Sequence, residues 1–386
     1  MSDDRRSRFR GRPDLHKPVS SRSSEPVHSL RRLAEERSYD VVRMASTSRA
    51  RVHLSVVIPN FNTADYVIAA IQSVLNQTLQ ELEVIVVDDG SSDESMERLL
   101  SIADERLTCI RQCNRGLAGA RNTGLLAARG AYVGFLDSDD TWFPEKAERH
   151  LKVMDQDPSL GLTFSYSAYL QQSGAPTGQL LISRCSRPTA RDLIKRNHVG
   201  NGSTFIVRRA CLEMAGGFDE AIRNCEEWEF CVRVAASTDF QIQLIPEVLT
   251  GYRIREGSLS VSYDHFISNG DLAVAQFCRY VPDFSDADAR RASAQNCRIA
   301  SRKALSNGQI TLSRALFAKA VRRYPMLVVR DPRAIALALI HLVSLPLPKR
   351  NGMVVFQGVL SLTRFFYSKL TPQPLSLEFG AEDKAP

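Results

Sequence analysis

Three short runs place oxygen-bearing side chains at regular points along the chain: Pro59-Asn60-Phe61-Asn62, Asp88-Asp89-Gly90-Ser91 and Asp137-Ser138-Asp139-Asp140. Carboxylates suit hard divalent cations. Mg²⁺ and Mn²⁺ complete their shells with substrate phosphates more readily than they enter an all-protein cage. A metal-bridged diphosphate is therefore the natural ligand of Asp89, Asp137 and Asp139 acting together. One acidic pair in a loop is commonly just a solvated cap; what distinguishes these pairs is where they fall.

Each run follows a stretch of β-type sequence. Leu54 to Ile58 is rich in β-branched residues and stops at Pro59, and Leu82 to Val87 runs into Asp88-Asp89. Leu107 to Arg111 and Ala131 to Leu136 complete the set. Between them, Ile68, Ile71, Val74 and Leu75 recur at helical spacing behind an expected N-cap at Thr63, and a second helix is expected from about Leu117 to Ala128. Strand alternating with helix predicts an α/β fold with a doubly wound sheet, whose ligands bind outside the carboxyl ends of the strands. Asp89 and the Asp137/Asp139 pair would then converge. No GxxxxGK[ST] loop is present, and Asn114 to Gly119 lacks the GxGxxG order, so neither a P-loop NTPase nor a dehydrogenase is indicated.

The 386 residues suffice for one large domain with additions, and 44% hydrophobic with 24% charged residues describes a globular protein. The net charge of +7 is unevenly spread: both ends are basic, and the middle, where a nucleic-acid footprint would belong, is acidic. Nucleic acid is thus not an expected partner. Basic ends suit an anionic membrane surface or simple solubility. The eight cysteines form no CxxC pair, which fits a reducing compartment and argues against zinc. Residues 1–50 read as a disordered basic extension without the apolar stretch of a secretory signal, and Met44 is a second plausible start. Residues 265–386 read as a helical region. Within it, 296–325 form a hairpin turning at Asn307-Gly308, and two apolar stretches, 334–348 and 352–363, are each too short to span a bilayer. Those two stretches suit packed helices or peripheral membrane contact.

Read in order, VVIPNFN at 56–62, SVLNQT at 73–78, VIVVDDGSSD at 84–93, NRGLAGARNTG at 114–124, GAYVGFLDSDD at 130–140, NGSTFIVRR at 201–209, GGFDE at 216–220 and EEWEFCVRVA at 226–235 resemble the family 2 glycosyltransferases. These are inverting enzymes of the Rossmann-like GT-A fold, and the resemblance covers about residues 53–264. It implies a GT-A domain over 51–264 with a mostly helical carboxy-terminal extension. It further implies that Pro59, Phe61, Asn62 and Asp89 line a nucleotide pocket, with Asp89 at the base or ribose and Arg121 near the base or diphosphate. Asp137 and Asp139 would be the DxD pair holding Mn²⁺ or Mg²⁺. For Arg121 the alternative is a surface charge paired with Asp88 or Asp89.

In the family the base that deprotonates the acceptor is the second acid of a Glu-Asp pair before Trp. Here Glu226-Glu227-Trp228 stands in its place, making Glu227 the candidate base; the alternative is that both glutamates only place charge on the first turn of a helix. The resemblance implies an inverting transferase that moves a sugar from a nucleotide-sugar donor, a UDP-sugar first among them, to a hydroxyl of a glycan or lipid-linked acceptor. The setting it implies is cell-envelope or exopolysaccharide synthesis in the cytoplasm or on the inner face of the cell membrane. A catalytically silent relative that binds nucleotide sugar or a partner is the rival reading.

Overall fold

A computed structural model describes residues 39–43, 52–255 and 263–343. Four parallel strands form its centre: β2 (Leu54–Asn60), β3 (Leu82–Asp88), β4 (Leu107–Arg111) and β5 (Tyr132–Phe135). Their spatial order is β4-β3-β2-β5. Every residue of β2 and β3 is buried, as expected where helices cover both faces of a parallel sheet. Val56, Ile58, Val84 and Val86 face one core with Val67, Ile71 and Val74 of α1 (Ala64–Leu75). Val57, Ile85 and Val87 face the other with Ala118, Ala120 and Leu125 of α3 (Gly116–Ala127).

The remaining strands make the sheet mixed. Beyond β5 lie β9 (Phe205–Arg208), β7 (Leu160–Leu170), β10 (Gln241–Arg253) and β6 (Thr141–Trp142), with β8 (Pro176–Leu181) on β7. Within the amino-terminal stretch expected to be disordered, β1 (Asp40–Arg43) pairs antiparallel with β4. Backbone hydrogen bonds to a sheet edge give that short segment an order its composition does not announce. The rest of residues 1–50 lies outside the described residues, apart from Tyr39.

The chain runs from β2 outward through β3 to β4, then returns to place β5 on the other side of β2. This reversal opens a crevice at the carboxyl ends of β2 and β5, where open α/β sheets bind ligands. The first helix after it is α1. Its amino terminus is not capped by the Thr63 side chain; Asp93 Oδ2 accepts from Ala64 N at 3.0 Å instead. Thr63 Oγ1 is otherwise engaged, donating to Asn60 Oδ1 (2.6 Å) and lying at hydrogen-bond distance from the Ser138 hydroxyl (2.7 Å), and so ties the end of β2 to the loop after β5.

Shorter helices are α2 (Ser95–Leu100), α4 (Lys146–Gln156), α5 (Ala190–Lys195) and α6 (Arg209–Ala215), and α7 (Glu226–Ser237) precedes β10. The carboxy-terminal helices are α8 (Tyr263–Tyr280), α9 (Asp286–Ser306), α10 (Ile310–Arg323), α11 (Leu327–Arg330) and α12 (Pro332–Val343). The expected hairpin is α9 and α10, turning through Gly308 at φ 75°. Phe277 of α8 packs edge-on against Trp228 of α7, which docks these helices on the sheet domain. In α12, Ala334, Leu337 and Ile340 are buried while Leu339 and Leu342 are exposed, so the first of the two apolar stretches is an amphipathic packed helix over its described part. No described helix is long and apolar enough to cross a membrane, and residues 352–363 lie outside the described residues.

Candidate active site

Arg121 organises the crevice. It lies on α3, a helix packed so tightly on the sheet that a Cβ on Gly124 would sit 2.2 Å from Val57 Cγ1. The Arg121 side chain is 1% exposed. Its Nη2 donates to Asp137 Oδ1 at 2.7 Å and its Nη1 to Glu226 Oε1 at 2.9 Å, while the guanidinium lies over the Phe218 ring. Burial alone would favour the neutral form, but Asp137, Glu226 and Glu227 together raise its pKa. Arg121 is thus neither a surface charge nor a partner of Asp88 or Asp89. It joins the loop after β5 to the first turn of α7.

The Asp137–Asp140 loop is fixed from below. Ser203 Oγ donates to Asp140 Oδ2 at 2.6 Å and accepts from Asp137 N at 3.0 Å, and Arg253 N donates to Asp140 Oδ1 at 2.9 Å. Asp140 is buried, and burial followed by the charges of Asp139 and Asp137 raises its pKa well above the usual range. Asp137 and Asp139 remain partly open, with side chains 23% and 19% exposed. Burial first, then the Asp137 charge, raises the pKa of Asp139, although Arg255 Nε donates to its Oδ2 at 2.6 Å. Among the described residues no cluster of three or more His, Cys, Asp or Glu side chains could hold a metal. Two accessible carboxylates are a donor set that fits Mg²⁺ or Mn²⁺ shared with substrate phosphates, not a closed protein cage.

Asp89 belongs to a separate network. It is buried, and its carboxylate accepts from Gln112 Nε2 (2.6 Å), Arg115 N (2.8 Å) and Gly116 N (2.8 Å), holding the start of α3. Burial, the largest influence, raises its pKa against those bonds. Pro59 is buried within β2. Phe61 is 48% exposed, and Asn62 takes a left-handed φ of 51° while accepting from Ser92 N. Asn62 is joined to the 88–93 loop through Ser91 and Ser92, whereas Arg121 gathers Asp137 and Glu226.

Glu226 and Glu227 open α7 behind Cys225 at the N-cap position, where the helix dipole favours negative charge. Glu226 is fully buried on Arg121. Glu227 is partly exposed. Burial, followed by the adjacent Glu226 charge, pushes Glu227 up to about 8, in spite of Arg121 and of its place on the first turn. Capping alone would lower a carboxylate's pKa, not raise it. Trp228 is core, its Nε1 donating to Leu193 O at 2.7 Å. Glu220 of the GGFDE segment pairs with Arg115 at 3.1 Å and accepts from Asn122, so it braces α3.

Two contributors escaped the sequence reading. Ser203 holds both Asp137 and Asp140, and Gly202 leaves room for Arg121: a Cβ there would fall 2.2 Å from Nη2. Their signal was the NGS sequence standing just before a β-type run.

A sequence model described as Glycosyl transferase family 2 matches residues 55–213, which carry Asp89, Arg121, Asp137, Asp139 and Ser203. Over this region the chain is similar to the family 2 glycosyltransferases. The match stops before Glu226 and Glu227, so the domain's resemblance to the family continues beyond it only through the motifs themselves. Among curated relatives, the UDP-Glc:alpha-D-GlcNAc-diphosphoundecaprenol beta-1,3-glucosyltransferase WfaP of Escherichia coli is 38% identical over 118 residues, 30% of this chain and 45% of WfaP. The chain spans between 20% and 62% of the length of WfaP and three further curated glycosyltransferases. Among solved structures, S. aureus TarS 1–349 in complex with UDP-GlcNAc superposes with a TM-score of 0.53 at 18% identity, covering 81% of this chain and 92% of that one. PcManGT, a mannosyltransferase from Pyrobaculum calidifontis in complex with GDP-Man and Mn²⁺, gives 0.51 at 19% identity over 88% and 92%. At such identities the likeness is one of fold.

Proposed function

We propose that the protein is an inverting glycosyltransferase that moves a sugar from a nucleotide-sugar donor to a hydroxyl on a glycan or lipid-linked acceptor. The observation that carries this reading is the Arg121 bridge. One guanidinium fixes Asp137, on the donor side, and Glu226, whose neighbour Glu227 is partly open to solvent and has its pKa pushed up to about 8. Transfer needs two carboxylate functions: one set to hold the donor diphosphate, and one base for a hydroxyl whose alkoxide is inaccessible near neutral pH.

Asp137 and Asp139 are assigned as the residues that would hold Mn²⁺ or Mg²⁺ with the donor diphosphate. Bound there, the cation would stabilise the charge that develops on the departing phosphate. Glu227 takes the acceptor proton as the oxygen bonds to the anomeric carbon and the bond to phosphate breaks; attack from the face opposite the leaving group inverts the configuration. Arg121 and Glu226 set the position of that base, and Ser203 sets the position of the DxD loop. Phe61, Asn62 and Asp89 are assigned to the nucleotide end of the crevice. A UDP-sugar is the first choice of donor, in line with the UDP-Glc of WfaP and the UDP-GlcNAc bound to TarS. Cell-envelope or exopolysaccharide assembly on the cytoplasmic side is the corresponding setting.

The test is thermal stabilisation by a panel of UDP- and GDP-sugars, with Mn²⁺ and with EDTA, for wild type and Asp139→Ala. The reading expects one donor to stabilise wild type only with metal, and Asp139→Ala to lose the effect. Absence of metal-dependent stabilisation by every donor would overturn it.

A further inference from the structure

A fully buried amine stands behind the Asp137–Asp140 loop and takes no part in the chemistry described so far. Lys146 opens α4, and its side chain has no solvent access. Among the described residues no carboxylate pairs with it, and burial alone acts on its pKa, pushing it well down. An amine in a core costs stability unless its hydrogen bonds are met. Here they are met by oxygens from three other parts of the chain. Nζ donates to Thr204 O at 2.8 Å, to Ser165 Oγ of β7 at 3.1 Å and to Thr250 Oγ1 of β10 at 3.1 Å.

Both hydroxyls direct their protons at backbone oxygens, Thr250 at Ser203 O (3.4 Å) and Ser165 at Thr204 O (3.5 Å), and so meet the amine as acceptors. Three acceptors match the three N–H donors of an ammonium. The Trp142 ring, its centre 5.1 Å from Nζ, favours the same charged form against burial. His150, one turn along α4, lies 3.4 Å away through Nε2 and is itself held at Nδ1 by Thr163 Oγ1 at 2.9 Å.

These contacts converge on the supports of the aspartate loop. Asp140 is held at one carboxylate oxygen by Ser203 Oγ and at the other by Arg253 N. Thr204 adjoins the first support, and Thr250 shares β10 with the second. Ser203 O also accepts from Trp142 Nε1 at 2.9 Å, so the residue under the loop is gripped from the same side by the ring beside Lys146. We infer that Lys146 is a positioning residue for the Asp137–Asp140 loop: by tying Thr204 to Thr250 it fixes the two groups that hold Asp140 and, through Ser203, the backbone of Asp137. That the loop holds a divalent cation rests on the reading proposed above, whereas the cross-tie stands on its own contacts.

Amide hydrogen exchange of the full chain, read by mass spectrometry, tests the cross-tie. Lys146→Met keeps the length of the side chain and removes its donors, so peptides covering residues 137–142 should exchange about tenfold faster than in wild type, with β3 unchanged. Thr250→Val is closer in shape and should quicken the same peptides; it remains the test if Lys146→Met does not fold. Met154→Ala opens a cavity on the buried face of the same helix, so it should lower the melting temperature without that local change. Calorimetry with UDP adds the functional readout: affinity in Mn²⁺ should fall about tenfold in Lys146→Met and Thr250→Val and hold in Met154→Ala.

Unchanged exchange of 137–142 in Lys146→Met and Thr250→Val, or equal quickening in Met154→Ala, would overturn the proposal. So would faster exchange with wild-type UDP affinity in Mn²⁺, which leaves Lys146 a structural residue only. If wild type binds UDP no better in Mn²⁺ than in EDTA yet the exchange pattern holds, the cross-tie stands and the metal reading falls.

Discussion

Arg121 Nη1 lies 2.9 Å from Glu226 Oε1 in an ion pair with essentially no solvent access, and the same guanidinium reaches Asp137. A buried pair of this kind adds little net stability over a well-packed apolar substitute, but removing one partner strands the other charge. Its consequence is geometric: the Asp137–Asp140 loop and the first turn of α7 cannot shift independently.

Arg121→Ala leaves Glu226 buried and unpaired, and should cost about 3–5 kcal/mol of stability along with transfer activity. Denaturant unfolding checks the first effect. Arg121→Lys supplies charge without the fork that spans two carboxylates. It should retain more stability than the alanine variant while still losing most turnover; equal turnover in Arg121→Lys and wild type would refute the bridging role.

Gly202→Ala is the gentler form of the same test. A methyl group 2.2 Å from Arg121 Nη2 must push the guanidinium aside, at a cost of about 1–3 kcal/mol for overpacking. The predicted effect is a loss of turnover greater than the loss of stability explains, measured as kcat on protein shown to be folded by circular dichroism.

The fold was largely legible because the parallel strands are buried on both faces and so read as continuous apolar runs ending in polar loops. Asp137 and Asp139 were legible for the same reason: a strand end locates them. Other features were not. Asp93 displaced Thr63 as the cap of α1 because Thr63 is drawn toward Asn60 and Ser138, a contact across distant sequence. The burial of Arg121 also depends on long-range pairing, since its partner Glu226 stands 105 residues away and no local pattern reports it. The short β1 strand is stabilised by its neighbour β4, not by its own composition.

The raised pKa of Glu227 gives two opposite slopes with pH. As a base it must be ionised, so kcat/KM should rise with pH and reach half its plateau near pH 8. For stability the sign reverses. The folded state keeps a proton that the unfolded chain releases near 4.5, so this contribution is complete below about 4.5 and is lost as pH rises to about 8. Thermal melts of wild type and Glu227→Gln from pH 5 to 9 should therefore converge on different slopes, with the variant flatter. Parallel slopes would show that Glu227 carries no shifted proton.

Asp139→Ala should free Arg255 and weaken the hold on a divalent cation, so the affinity in Mn²⁺ should fall to the level seen in EDTA. Calorimetry with UDP in Mn²⁺ and in EDTA measures both. Persistence of the full Mn²⁺ increment in the variant would place the cation elsewhere.

Turnover by Glu227→Gln tests the central claim most directly, because glutamine keeps the side-chain length and removes only the base. With the donor identified by the stabilisation panel, sugar transfer or slow donor hydrolysis should fall by about 10²–10⁴-fold, with donor affinity in Mn²⁺ unchanged. Wild-type turnover in Glu227→Gln, or no turnover in wild type despite donor binding, would contradict the account and leave a nucleotide-sugar-binding protein without transferase chemistry.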